Sequence, residues 1–80
     1  MVQILIEYFL KNTKIGSEWI SLETMKEFQS LLGSIGASNL HNTEIRETDG
    51  MIVMEHSLHD YEVENITGRA GFKPVVEKSR

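Results

Sequence analysis

Apolar residues recur at every second position from Val2 to Leu10, with Val2, Ile4, Ile6, Tyr8 and Leu10 on one side. That period of two predicts a β-strand. The other side carries Gln3, Leu5, Glu7, Phe9 and Lys11, so it is partly apolar as well. A strand with apolar residues on both sides is either central and covered on each face, or presents one face to a partner. Asn12 to Gly16 reads as a polar loop. The pattern then changes. Leu22, Met25, Phe28, Leu31, Leu32 and Ile35 recur every three or four residues, which predicts a helix over residues 22–35. Ser21 is placed to cap its first turn and Glu23 to favour its positive end, while Gly33 and Gly36 suit its termination.

Beyond the helix, Asn39–Arg46 and Met51–His56 flank Asp49-Gly50, a pair that tolerates the positive φ of a hairpin turn. In a four-residue loop register Ile45 faces Ile52, with Met54 on the same side toward the helix. Glu44, Glu47 and Glu55 then point to water. Ser57-Leu58-His59-Asp60 fits a capping box and Gly68 a helix end, yet the β-branched Val63, Ile66 and Thr67 leave residues 58–67 open between helix and strand. Phe72–Val76 reads as a short strand that Pro74 confines to a sheet edge. Residues 1–80 thus read as a single α+β domain, an antiparallel sheet one layer deep with one or two helices on one face.

The order strand, helix, strand, strand, helix, strand resembles the ferredoxin-like βαββαβ domains. Leu32-Gly-Ser-Ile-Gly-Ala-Ser-Asn-Leu40 looks like the helix-to-strand junction of the heavy-metal-associated members, and Asn65-Ile-Thr-Gly-Arg-Ala-Gly-Phe72 like the end of their second helix. Those domains carry two cysteines before the first helix, whereas Gly16-Ser-Glu-Trp-Ile-Ser21 has none. The same topology is similar to that of dimeric α/β-barrel proteins, which include small oxygenases and isomerases. The resemblance implies a fold and carries no activity with it.

Composition narrows the chemistry. The chain has no cysteine, which excludes disulfides, thiolate metal sites and a thiol nucleophile. Its first ten residues lack the basic start and cleavage site of a signal peptide, and no apolar run approaches the ~20 residues of a membrane span. A cytoplasmic location is the expectation. The net charge of −4 divides unevenly: residues 1–40 sum to −1, 41–66 to −6 and 67–80 to +3. An acidic chain argues against nucleic acid, despite Arg69, Lys73, Lys78 and Arg80 near its end.

Glu55-His56-Ser-Leu-His59-Asp60 is the densest cluster of polar chemistry. Histidines three apart on a helix, with His41 across the hairpin, would suit zinc or copper(II), or supply a general base. The competing reading is polar residues at a strand exit. The glycine runs at 33–38 and 68–71 lack the strand-to-helix setting of a phosphate loop. Trp19 reads first as a staple on the helix start and otherwise as an exposed anchor. No cofactor is implied.

Three functional expectations remain. The leading one is a small non-catalytic binding or regulatory module acting through protein–protein contact, with a basic-surfaced partner or a second copy of itself. Its contact residues would be Leu5, Phe9, Trp19, Glu44, Glu47 and Glu55. The second is a small dimeric α/β-barrel enzyme with a pocket lined by Tyr8, Phe28, Met54 and His56 or His41. The third is metal binding through His56 and His59.

Overall fold

In the computed structural model, which describes residues 2–36, 42–49 and 51–75, strand β1 (Val2–Leu10) reverses through Lys11 and Asn12 into β2 (Thr13–Leu22). Both turn residues have positive φ, 52° and 66°, as a two-residue hairpin turn requires. The segment read as a polar loop therefore opens a ten-residue strand. β2 also absorbs Ser21 and Leu22, so helix α1 starts later, at Met25, and runs to Ser34.

Thr24, in place of Ser21, is its cap: the Glu27 amide donates to Thr24 Oγ1 at 3.2 Å. The Glu27 carboxylate in turn accepts from the Glu23 amide at 2.7 Å. Two amides at the helix start are satisfied this way. Gly36, at φ +82°, ends the element as expected.

β3 (Thr43–Thr48) and β4 (Met51–Ser57) form the second hairpin, with Asp49 at φ 53°. Its register differs from the expected one. Thr48 pairs with Met51, a two-residue loop, so Ile45 lies opposite Met54 and Glu47 opposite Ile52. A 3₁₀ turn at Asp60–Glu62 leads into a short α2 (Val63–Thr67), which resolves the open segment as helical. His59, not Ser57, begins that turn, with its amide donating to the Glu62 carboxylate at 2.8 Å. β5 is only Lys73–Pro74, at a sheet edge as Pro74 requires.

The sheet is mixed and five-stranded, in the order β3-β4-β1-β2-β5. β1 and β4 are parallel, and the other neighbours are antiparallel. This corrects the all-antiparallel expectation. It also departs from the βαββαβ order, because β2 intervenes between β1 and α1.

Inward residues of the strands form one core with both helices: Ile4, Ile6 and Tyr8 of β1, Leu22 of β2 and Met54 of β4 meet Leu31, Leu32 and Ile35, together with Ile66 of α2 and with Leu58, which follows β4. Both helices thus cover the same face, as expected. Tyr8 and Met54, assigned above to an enzyme pocket, are fully buried here and fill space. Phe28 packs against the same cluster from α1. No helix among the described residues is long and apolar enough to cross a membrane.

Gly16 lets the chain after α2 close onto β2. Pairing of Gly16 with Pro74 and of Ser17 with Lys73 brings the Phe72 ring over the glycine. A Cβ there would run into that ring and come within 2.7 Å of the Lys73 carbonyl oxygen. We expect Gly16→Ala to destabilise the fold by about 1–3 kcal/mol, as overpacking does. A lowered urea midpoint would show it, and an unchanged midpoint would mean that β5 is not docked as described.

Candidate functional site

Alternation along the strands divides the candidate residues between two faces. On the helix side lies a polar cluster built around Glu18. Its side chain is only 7% exposed and accepts three hydrogen bonds: Tyr8 Oη donates at 2.9 Å, and Arg69 donates from Nε at 2.8 Å and from Nη2 at 3.2 Å. Arg69 Nη1 also donates to Ser34 Oγ at 3.1 Å. β1, β2, the end of α1 and the loop after α2 are thereby tied to one carboxylate. Burial, and then the bond to Glu18, push the Tyr8 hydroxyl above its ordinary pKa.

His56 is fully buried beside this cluster, its ring edge-on to Tyr8 at 6.2 Å. Nδ1 lies 2.8 Å from Thr43 Oγ1, while Nε2 has no hydrogen-bond partner among the described residues. Burial pushes its pKa below the ordinary value. The Glu62 charge and the nearby Ile35 carbonyl oppose that shift, and His59 adds to it. A neutral imidazole enclosed by core side chains is out of reach of a substrate.

The histidine pair does not have the expected geometry. His56 lies within β4, whereas His59 lies beyond it, exposed and stacked on Tyr61 at 5.3 Å. Helical spacing therefore does not apply to them. No group of three potential metal ligands gathers among the described residues, and His41 lies outside them.

The opposite face of the sheet collects most of the proposed contact residues. Across the strands, Trp19, Leu5, Val53 and Arg46 form one row, and Ser17, Glu7, Glu55 and Glu44 the next. Phe9 stands between Lys14 and Ser57 in a third. Trp19 is 51% exposed. It lies inside β2 as the cross-strand neighbour of Leu5, which replaces the staple reading. Phe9 and Glu55 also border an open hollow of about 480 Å³, completed by Asn12, Asn42, Thr43, Glu44 and Ser57.

Charges on this face are largely matched. Lys14 Nζ meets Glu7 at 3.0 Å, and Arg46 Nη1 meets Glu55 at 2.7 Å. Glu44 faces Glu55 directly across the ladder. Glu47 is the exception among the expected contact residues: its pairing with Ile52 places it on the helix side, at the sheet edge. The face presents apolar area framed by charge.

Spacing gave no sign of the Glu18–Arg69 pair, whose members are 51 residues apart. The one available signal was Glu18 standing in the same alternation phase as the apolar Ile20 and Leu22.

Two tests follow from the buried cluster. Arg69→Met leaves Glu18 without its cation, and we expect a loss of about 2–4 kcal/mol, toward the low end for broken buried pairs because water reaches Arg69. Adding Glu18→Leu should recover part of that loss in the urea midpoint, and no recovery would show that Glu18 is not the partner that matters.

His56 is tested by pH. The unfolded chain protonates this ring near pH 6.5, while the folded chain does so only at lower pH. Its contribution is therefore intact above about pH 6.5 and is lost as the pH falls from there toward the folded pKa. His56→Leu should flatten that part of the stability profile, and an imidazole titrating at or above the ordinary value by NMR would contradict the assignment.

No protein-family model, curated protein or solved structure matches this chain.

Proposed function

We propose that the protein is a small binding module that contacts another protein through the open face of its sheet. The observation that carries the reading is the asymmetry of the sheet. Its inward face is covered by α1 and α2, whereas no described element lies over Leu5, Phe9 and Trp19 on the other. Tryptophan is the residue type most often found at the centre of binding energy, and here it is half exposed in the middle of a rigid strand. A side chain held by a sheet loses little entropy when a partner covers it.

The acidic surface has a smaller part in this reading than sequence composition implied. Glu7 and Glu55 already have basic partners on the same face, so apolar contact supplies most of the affinity and Glu44 offers local charge matching. A partner with a basic group near Glu44 and an apolar patch beside it fits this face. Nothing in the reading calls for catalysis.

The test compares the wild type with Trp19→Ala as immobilised bait in native lysate, and then measures affinity for whatever the wild type retains. We expect the variant to keep its fold, because its site is half exposed, and to bind at least tenfold more weakly. Equal binding by both proteins would remove the open face from the account. A steep loss of affinity with added salt would instead assign the contact to charge.

A further inference from the structure

We propose that β3 pairs edge to edge with β3 of a second copy of this chain, antiparallel and centred on Ile45. The inference concerns the sheet edge and holds whatever the open face binds. β3 is the outermost strand at its side of the sheet, and among the described residues nothing pairs with its outer edge. Its bonding direction can be assigned. The Ser57 amide donates to the Asn42 carbonyl at 2.9 Å, so Asn42 faces β4. By alternation Glu44, Arg46 and Thr48 also turn their backbone groups to β4, which leaves those of Thr43, Ile45 and Glu47 directed outward.

Self-pairing about a two-fold axis perpendicular to the sheet places one residue opposite itself, in either a hydrogen-bonded or a non-hydrogen-bonded pair. Centring on Glu44 or Arg46 sets like charges against each other. Centring on Glu47 sets two glutamates against each other, and centring on Thr43 wastes most of the strand. Centring on Ile45 uses all of it. Ile45 then meets Ile45 of the second copy, and Thr43 meets Glu47. Glu44 meets Arg46 twice, in the non-hydrogen-bonded positions where side chains approach most closely.

Two further observations favour this register. Glu44 faces Glu55 across the β3–β4 ladder, an unfavourable like-charge pair that an incoming arginine would relieve. Ile45 is 41% exposed at the edge, and its twin would cover it. Charged residues on an edge strand often serve to prevent pairing. Here their order makes the strand complementary to itself in one register. The strand at the far edge, β5, is two residues long and contains Pro74, so it offers no comparable strand for such pairing. The axis runs perpendicular to the sheet, so both open faces lie on the same side.

The experiment is sedimentation equilibrium over a concentration series, with circular dichroism to confirm that each variant is folded. The wild type should reach twice the 9.1 kDa chain mass. Glu44→Arg sets arginine against arginine, and Arg46→Glu sets glutamate against glutamate. Each should raise the dimer dissociation constant about tenfold or more. Mixing the two single variants restores both opposite-charge pairs and should yield a heterodimer, and the double variant should again self-associate. Ile45→Lys places two ammonium groups on the axis and should give monomers without touching any ion pair seen in the structure, which keeps the test valid if Arg46→Glu fails to fold. A wild type that stays monomeric throughout would overturn the proposal. So would single variants that dimerise as well as the wild type, or a mixture that does not recover.

Discussion

Burying a carboxylate in a domain of 80 residues costs several kcal/mol unless its oxygens are matched by donors held in place by the fold. Glu18 meets that condition through Tyr8 and Arg69, which arrive from opposite ends of the sequence. The requirement fixes more than one site. Tyr8 must stand on the inward side of β1, Arg69 must be brought back over β2 by the chain after α2, and Ser34 at the end of α1 accepts from the third guanidinium nitrogen. Gly16 and Gly71 leave room for that return, since a Cβ at Gly71 would sit 3.0 Å from the Glu18 carboxylate. The thin core and this polar cluster are one construction, with His56 and Phe72 packed around the Tyr8 ring.

The same carboxylate determines what the other face displays. Side chains alternate along a strand, so an inward Glu18 forces Ser17 and Trp19 outward. A one-residue slip would bury the tryptophan and expose the glutamate, the arrangement that hydrophobicity alone favours. The fold takes the opposite choice because Arg69 and Tyr8 make the inward glutamate stable. An exposed Trp19 beside Leu5 and Val53 is the result. The open face with its exposed tryptophan and the buried ion pair are therefore two consequences of one register.

This also explains which parts were legible in the sequence. β1, the helical stripe from Phe28 to Ile35 and the Asp49-Gly50 turn each carry their signal within a few residues, and each was found. β2 was not. Its inward positions are Gly16, Glu18, Ile20 and Leu22 and its outward ones include Trp19, so the polarity pattern of a half-buried strand is partly inverted. The turn before it uses Lys11 and Asn12 in place of glycine, and hides the hairpin further. Once β2 is missed, Ser21 and Leu22 are read as helix start, and Trp19 becomes a staple. Of the contact residues, Leu5, Phe9, Trp19, Glu44 and Glu55 share the open face, and Glu47 does not, because the hairpin loop holds two residues rather than four.

The mixed sheet follows from where the chain must go after β2. With β1 already paired to β2 on one side, its other edge carries unpaired amides through the middle of the domain, and these need partners. The chain crosses over the inward face as α1, descends as β3 at the outside and returns as β4 beside β1, running parallel to it. The Leu58 amide continues that ladder to the Phe9 carbonyl at 2.7 Å. This route pairs the central strand with β4 from Ile4 to Phe9 and leaves β3 outermost among the described residues, a strand that contributes nothing to the core cluster and is half charged. The unpaired backbone is thus held by the segment whose side chains can best stand in water, and whose order of Glu44, Ile45 and Arg46 decides what can be paired there.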